Sequence, residues 1–329
     1  IDSRESYLSY LSSDAAHFHI PKINSIEAIG PIEYMLIFTE INGKITHILM
    51  YYWLLFFKNL SGININNPET ISVFAYILNS LVNVATIFFL YNLLIKVHKN
   101  KTIAASGTFF FALNPFVIHY SSMVQKEALL FLAVVFCLHY LVFQKKWVLI
   151  IACLILFFDR PYMLLFPMAI LLLSDKINIV LKFTAIIGIL GLIEVFFGLI
   201  NALSLHQAYL KGMADNSEYL IPLPGAVGDI IRILFSPIFI RPFLGGDLIG
   251  NNIFYNLYYF TLPLIYIFTL YSIFFLKHRI YSIPAITLIL TFLIWPSHST
   301  LKLTWLIPSL TLILPMFVIS VNRSIKHLF

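Results

Sequence analysis

The chain has 329 residues, of which 60% are hydrophobic and only 11% are charged, and its mean hydropathy is +0.90. An ordinary soluble domain carries about 25% charged residues. A soluble globular fold, a disordered chain and a disulfide scaffold are therefore excluded, and a polytopic membrane protein is expected. In such a protein the net charge of +6 does not indicate nucleic-acid binding, and the positions of the charges along the chain matter more than their sum.

The first 70 residues predict an outer segment that does not span the membrane. Residues 1–30 are polar and acidic, and because the chain begins at Ile1 rather than at a methionine, we expect one more helix upstream. The apolar patches Ile32–Phe38 and Ile45–Phe57 are too short to span comfortably. They predict amphipathic helices that lie on the membrane surface. A span over 45–57 is the alternative, and it would reverse the predicted sidedness of the loops that follow.

The rest of the chain predicts about nine transmembrane helices. The loop 201–252, which contains Asn, Gly and Pro throughout, interrupts them after the sixth helix. The charged pair Asp159-Arg160 before Pro161 predicts that the fourth and fifth helices are short and meet at a turn. The predicted spans are Ile71–Ile95, Ile103–Tyr120, Ala128–Phe143, Trp147–Phe158, Pro161–Leu173, Ile179–Ile200, Ile253–Leu276, Ile280–Trp295 and Leu301–Val321.

These segments predict an all-α, polytopic transmembrane helix bundle in four parts. Residues 1–70 form the first outer loop, residues 71–200 and 253–329 form the helices, and residues 201–252 form a second large outer loop. Lysines and arginines follow the first, third, fifth, seventh and ninth spans, which predicts that those short loops are cytoplasmic. Most acidic residues then fall on the opposite, outer side.

A group of polar residues precedes the first amphipathic helix, in the segment Ser13–Pro21. Asp14 and His17 are three residues apart, so on a helix they would share a face. The two side chains are candidate ligands for a divalent cation. Because two side chains alone make a poor metal site, we predict neither a metal nor another cofactor. Asp14 could equally cap a helix.

Two further charged segments lie on the predicted outer side. Lys126 and Glu127 precede the third span, where an acid also interacts favourably with the helix dipole. Asp159 and Arg160 stand between two apolar runs, where a charged pair is costly unless it faces a cavity or the interface. Arg160 either binds a phosphate through its planar guanidinium or snorkels to the interface while paired with Asp159.

Taken in order, these segments resemble the outer loops of GT-C membrane glycosyltransferases, in particular protein mannosyltransferases and the aminoarabinose transferase of lipid A. The segment around Asp14 and His19 resembles the Asp-x-x-x-Tyr-His-Leu-Pro stretch of the first outer loop, with Ala15 where many relatives have a second acid. Glu127 resembles an acidic position of the second outer loop. The turn at Arg160 resembles a Thr-Lys-Gly-Pro turn whose Lys faces the lipid phosphate.

The resemblance implies an inverting glycosyltransferase whose donor is a sugar linked to polyprenyl phosphate. Asp14 would take the proton from the acceptor hydroxyl, and cations would stabilise the departing lipid phosphate. The acceptor would be a lipid, a glycan or a protein, and the site would lie on the extracytoplasmic face of a bacterial inner membrane. The implied supporting residues are His17, His19, Glu127 and Asp159, and the implied phosphate contacts are Arg160, Lys126, Arg232, Arg241 and Lys302.

Two other classes of protein remain open. An O-antigen or capsular polysaccharide polymerase or ligase would use the same lipid carriers. The basic residues of the loop 201–252 fit that class, whereas Asp14 fits it less well. A lipid or small-molecule transporter or flippase predicts charges that line a path at mid-membrane, whereas the charges here cluster at one face. The expected partners are the lipid-linked donor, the acceptor and membrane lipids, without nucleic acid.

Overall fold

The structure is a computed structural model, and the part of the chain that it describes contains helices and turns but no strand. The all-α prediction is therefore confirmed for these residues. The loop 201–252 and nearly all of the spans predicted from Ile253 onward lie outside them. The described residues are 19–37, 43–62, 67–114, 117–118, 126–173 and 178–197, together with Pro308 and Thr311.

The described helices begin and end at residues that favour helix boundaries. Gly30 and Pro31 separate the first two helices, because glycine tolerates the positive φ of 84° and proline suits the first helical turn. In chain order the helices are α1 (Ile20–Ile29), α2 (Pro31–Leu36), α3 (Lys44–Ser61), α4 (Pro68–His98), α5 (Lys101–Ala112), α6 (Glu127–Phe143), α7 (Lys146–Asp159), α8 (Leu165–Leu173) and α9 (Ile179–Phe197).

Most of the predicted apolar segments correspond to these helices. The patches predicted as amphipathic helices form α2 and α3, and their position on a membrane surface stays a prediction. The predicted spans Ile71–Ile95, Ala128–Phe143 and Trp147–Phe158 lie within α4, α6 and α7. Helix α1 was not predicted, because its apolar residues are mixed with polar ones.

The segment Ile103–Tyr120, predicted as one span, is not one continuous helix in the structure. Helix α5 ends at Ala112, and Leu113 lies in a turn. Asn114 precedes Pro115, and a residue before proline is disfavoured in the helical region, which explains why the helix does not continue.

The predicted break at Asp159-Arg160 is confirmed. Helix α7 ends at Asp159, and Arg160 has a non-helical backbone with φ of −155° and ψ of 83°. A short 3₁₀ helix, Pro161–Leu164, then leads into α8. Pro161 accounts for the break, because proline lacks the backbone N–H that a continuing helix needs.

Contacts divide the chain into two compact units. One comprises Ile1–Asn92 and Ala112–Leu164, and the other comprises Leu93–Phe111 and Leu165–Phe329. In the second unit, α8 packs against α9. In the first unit, α1, α3 and α4 share an apolar core that consists of Ile20, Ile23, Met50, Leu54, Ile71 and Ala75.

Helix α6 lies inside the first unit. Its residues from Glu127 to Tyr140 are nearly all buried, which is typical of a helix that is apolar on every side. It packs against α7, and the ring of Phe136 contacts Phe89 of α4 at 4.9 Å between centroids. The charged residues that begin α6 are therefore held at one end of a rigid helix pair.

Among the residues that the structure describes, α4 is the one helix long and apolar enough to cross a membrane, judged by length and composition. Its 31 residues correspond to about 46 Å of helix, whereas the hydrocarbon core of a bilayer is about 30 Å thick. Val73, Leu81, Val84 and Phe88 are exposed on its surface.

Lys44, the first residue of α3, closes the C-terminus of α2. Its ammonium group donates hydrogen bonds to the carbonyl oxygens of Tyr34 at 2.9 Å, Met35 at 3.0 Å and Ile37. These carbonyls lie at a helix end, where the helix itself provides no donors. Because Lys44 is only 1% exposed, the connection between α2 and α3 is a buried polar contact.

We expect Lys44→Met to weaken the α2–α3 connection by about 2–4 kcal/mol, since buried carbonyls would lose their donors. Lys58→Met is the matched control at the opposite end of α3, where Lys58 pairs with Glu27 at 3.1 Å with both side chains 42% exposed. That change should cost less than about 1 kcal/mol. Hydrogen exchange of the amides of α2 and α3 in detergent micelles measures both, and equal protection in the two variants would contradict the prediction.

Candidate functional site

The structure brings together those predicted site residues that it describes. His19, Lys126, Glu127, Asp159 and Arg160 all belong to the first unit and lie where α1 begins, α6 begins and α7 ends. We call these five residues the polar end. The predicted residues Asp14, His17, Arg232, Arg241 and Lys302 lie outside the described residues.

Asp159 caps the N-terminus of α3, a helix more than 100 residues away in sequence. Its Oδ1 accepts hydrogen bonds from the backbone N–H of Ile45 at 2.7 Å and of Thr46 at 3.3 Å. Its Oδ2 accepts one from the hydroxyl of Thr46 at 2.6 Å. The first turn of a helix has unsatisfied N–H groups and a positive dipole end, so a carboxylate stabilises it.

The environment of Asp159 suits a structural role. Burial raises the pKa of Asp159 to about 6, while the hydrogen bonds from Thr46 and Ile45 and the charge of Lys126 act in the opposite direction. Both carboxylate oxygens already accept hydrogen bonds. Asp159 therefore fixes the position of the start of α3 relative to the end of α7.

Arg160 forms a buried ion pair with Glu127. Its Nη2 donates to Glu127 Oε1 at 2.9 Å, and the two side chains are 8% and 3% exposed. The suggested pairing of Arg160 with Asp159 is therefore wrong, because Asp159 turns toward α3 instead. The first-turn position of Glu127 in α6 agrees with the helix-dipole interpretation, but its carboxylate also binds Arg160.

Glu127 keeps one carboxylate oxygen without a hydrogen bond. Its Oε2 is buried and accepts none from the residues that the structure describes. A buried carboxylate oxygen of this kind can accept a hydroxyl or a cation. Chemically, the ion pair thus offers both a guanidinium for an anion and an acceptor for a hydroxyl.

A chain of three buried side chains runs beside this ion pair. Tyr34 Oη lies 2.6 Å from His47 Nδ1, and His47 Nε2 lies 2.6 Å from His19 Nδ1. Burial lowers the pKa of His47 to about 3 and that of His19 to about 2, and the charge of Lys126 lowers both further. Both histidines are therefore neutral at physiological pH.

Gly43 makes room for the two imidazole rings. Its φ of 81° lies in the left-handed region, which glycine adopts without steric cost. A Cβ atom there would lie 3.2 Å from His47 Nε2 and 3.5 Å from His19 Cε1. The residue before α3 is therefore glycine for both a conformational and a steric reason.

Sequence reasoning missed Tyr34, Lys44, Thr46 and His47. Their partners are distant in sequence, and no local motif marks them. One signal was present, since Lys44, Thr46 and His47 place three polar side chains in the first turn of an otherwise apolar helix. A polar first turn at the start of an apolar helix indicates that polar groups from another part of the chain pack against that turn.

The described residues do not add a candidate metal site to the pair Asp14 and His17. They contain no group of three or more His, Cys, Asp or Glu side chains that could hold a metal ion. The divalent cation that the sequence leaves open at Asp14 and His17 falls on residues that the structure does not describe.

Comparison of the chain with protein-family models, with curated proteins and with solved structures found no match.

We expect the Arg160–Glu127 pair to show strong energetic coupling. Arg160→Met alone should destabilise the first unit by about 3–5 kcal/mol, because it leaves a buried carboxylate without its counter-ion. Adding Glu127→Gln should recover part of that loss. A double-mutant cycle in detergent micelles measures the coupling, and the exposed pair Glu27–Lys58 is the control, expected at about 0.2–1 kcal/mol. Similar coupling in both pairs would contradict the prediction.

We expect the first unit to lose stability as the pH falls from 6.5 towards 3. Unfolded histidines bind protons near pH 6.5, whereas buried His19 and His47 do not until about pH 2 and 3. Asp159 opposes this between about pH 3.8 and 6, because its folded form holds a proton that the unfolded form has lost. From these three groups the unfolded state binds a net excess of one proton between about pH 3.8 and 6, which destabilises the fold as pH falls through that range.

The variant His47→Gln isolates this effect. It removes one titrating group, so the slope between pH 3.8 and 6 should fall by about 1.4 kcal/mol per pH unit relative to the parent. Thermal unfolding in detergent from pH 4 to 8 measures the difference between the two proteins. Parallel pH profiles would show that His47 does not remain neutral in the folded state.

Proposed function

We propose that this chain is an integral membrane glycosyltransferase of the GT-C type. It would transfer a sugar from a polyprenyl-phosphate-linked donor to a lipid, glycan or protein acceptor. The observation that carries the proposal is the meeting of Arg160 and Glu127, at 2.9 Å, in the same end of the fold as His19 and Asp159. The resemblance assigns these separate segments to one site, and their proximity supports that assignment.

The proposed reaction is an inverting displacement at the anomeric carbon. Asp14 takes the proton from the acceptor hydroxyl as the acceptor oxygen bonds to that carbon. The bond from the anomeric carbon to the phosphate oxygen breaks, and the lipid phosphate leaves with the electron pair. Fixed cations stabilise the charge that develops on this phosphate.

Arg160 is the proposed principal phosphate contact. A guanidinium has five N–H donors in a planar fork, which suits the oxygens of a phosphate. Glu127 binds Nη2 and so orients the guanidinium plane. Asp159 acts one step further away, because its cap on α3 holds the end of α7, next to Arg160, against α3. The other proposed phosphate contacts are Lys126, Arg232, Arg241 and Lys302.

The proposal includes more membrane-spanning helices than α4, the one candidate span among the described residues. We infer a bundle of about nine spans, with α1 to α3 on the extracytoplasmic surface and the polar end facing that side. The clustering of Lys126, Glu127, Asp159 and Arg160 where α6 begins and α7 ends supports a site at one membrane face rather than at mid-membrane. That arrangement favours an enzyme over a transporter.

Sugar transfer by the purified protein tests the proposal. With polyprenyl-phosphate sugars and lipid or glycan acceptors, we expect Asp14→Asn to lower the rate by about 100-fold or more, because general-base catalysis contributes about 10²–10⁴. Arg160→Lys keeps the charge but loses the planar fork, and we expect it to lower the rate by about tenfold or more. Glu33→Gln, an exposed carboxylate on α2, is the control and should leave the rate unchanged.

The outcomes separate the alternatives. If Asp14→Asn transfers sugar as well as the parent, the proposed mechanism is wrong. If the protein instead extends a lipid-linked glycan with its own repeat unit, and variants of Arg232 and Arg241 abolish that activity, the polymerase alternative is correct.

A further inference from the structure

A groove between α2 and α3 is lined almost entirely by apolar side chains. Its volume of about 390 Å³ lies near the lower end of the range of about 300–1,000 Å³ that is typical of ligand sites. Tyr52 is the one lining residue whose side chain carries a hydrogen-bonding nitrogen or oxygen. The lining includes Ile32, Met35 and Leu36 of α2, and Ile45, Leu49 and Tyr52 of α3.

Polar contacts hold both walls of this groove in place. The ammonium group of Lys44 donates to the carbonyl oxygen of Met35 at 3.0 Å, which joins the wall formed by α2 to the start of α3. Asp159 accepts the N–H of Ile45 at 2.7 Å, which fixes the wall formed by α3 against the end of α7. The groove is therefore formed before anything binds, and an occupant does not have to order its walls.

The walls favour a hydrocarbon chain as the occupant. An extended peptide would bring N–H and C=O groups that lose water in the groove without finding partners, which is costly. A docked helix satisfies its own backbone, but its anchors from position i to i+7 span about 10 Å. The six residues of α2 provide a wall of about 9 Å, which is shorter than that. A flexible alkyl chain needs neither hydrogen-bond partners nor a long wall.

The groove opens onto an exposed apolar surface that continues to α4, the one candidate span among the described residues. On α3, exposed apolar side chains recur every three or four residues, so they form one stripe along the helix. Near the end of α3, the ring of Phe57 packs against that of Phe74 of α4 at 4.6 Å between centroids. Their sequence neighbours Phe56 and Val73 are both exposed. The stripe on α3 consists of Leu49, Tyr52, Phe56 and Leu60.

We propose that this groove binds one acyl chain of a membrane phospholipid and that the stripe on α3 is embedded in the surrounding lipid. The inference rests on the proposed function for the position of α1 to α3 at the membrane surface, but not for sugar transfer. The hydrocarbon that would surround α4 reaches the groove along the continuous apolar surface. Tyr52 suits the mouth of such a site, because tyrosine is enriched where hydrocarbon meets the lipid headgroups.

Photo-crosslinking in vesicles locates the chain. The protein is reconstituted in phosphatidylcholine, of which a small fraction carries a diazirine on one acyl chain, and mass spectrometry maps the adducts after illumination. In the parent we expect more adducts at Leu49 and Tyr52 than at Val84 and Phe88 of α4. The two residues of α4 are 63% and 61% exposed, whereas Leu49 and Tyr52 are 42% and 51% exposed. Contact with bulk lipid alone would therefore label α4 at least as strongly as the groove.

A matched pair of substitutions separates the groove from the rest of the exposed surface. Leu49→Trp fills the groove, whereas Leu60→Trp makes the same change near the other end of α3, outside the groove. Both leucines are exposed, so neither change disturbs the core. We expect Leu49→Trp to lower the labelling of Tyr52 by at least about fourfold, which is the effect of excluding a single methylene group. Leu60→Trp should leave this labelling unchanged.

A second pair changes charge instead of volume. Leu49→Asp places a carboxylate in the groove, where an alkyl chain cannot solvate it, and we expect the labelling of Tyr52 to fall as in Leu49→Trp. Leu60→Asp introduces the same charge outside the groove and should leave the labelling of Tyr52 unchanged. Agreement between the two pairs would show that the loss follows from the groove and not from one particular side chain.

Three results would overturn the proposal. Labelling of Val84 and Phe88 that equals or exceeds that of the groove would show that bulk lipid accounts for the adducts. Labelling that Leu49→Trp does not reduce would show that no chain occupies the groove. A parent that sediments as a dimer in detergent, together with a monomeric Leu49→Asp, would show that a second copy of this chain covers the groove instead.

The same measurements distinguish this inference from the proposed sugar transfer. Groove labelling in a protein that transfers no sugar supports the lipid site while the glycosyltransferase proposal fails. Sugar transfer by a protein whose groove is not labelled overturns the lipid site alone.

Discussion

The cap that Asp159 places on α3 is the contact on which the polar end depends. Its carboxylate binds the first N–H groups of α3 and the hydroxyl of Thr46, and its own carbonyl accepts the N–H of Gly43. The next residue, Arg160, pairs with Glu127 of α6. Two consecutive residues at the end of α7 therefore hold the starts of two other helices. Their positions, in turn, determine where His47 meets His19.

Burying so many polar groups in one place is costly unless nearly all are satisfied. The structure meets this condition in large part by making local charges compensate, although Glu127 Oε2 is buried without a hydrogen-bond partner among the described residues. Asp159 faces a helix N-terminus, Arg160 faces Glu127, and Lys44 faces the C-terminal carbonyls of α2. The histidines are neutral because nearby cations and burial both disfavour a further positive charge. Such an arrangement holds side-chain directions tightly, as the proposed phosphate site would require.

The agreement between prediction and structure is uneven for physical reasons. Helices α4, α6 and α7 follow from long apolar runs, and the break before Pro161 follows from the backbone chemistry of proline. The interruption of the segment Ile103–Tyr120 after Ala112 was not predicted, because its high hydropathy was weighted above the same backbone chemistry at Asn114 and Pro115. Arg160 was expected to pair with its sequence neighbour, but successive side chains on a turn point in different directions.

The sequence by itself determined the helical class, the break at Asp159-Arg160 and the expectation that Glu127 and Arg160 lie on one side. These properties depend on local composition and on residues close together in the chain. Only the tertiary structure decided that Asp159 caps α3, that Arg160 binds Glu127, and that Tyr34, His47 and His19 form one chain. Each of these contacts joins residues of different elements, and hydrogen-bond geometry selects a partner only after packing has brought the elements together.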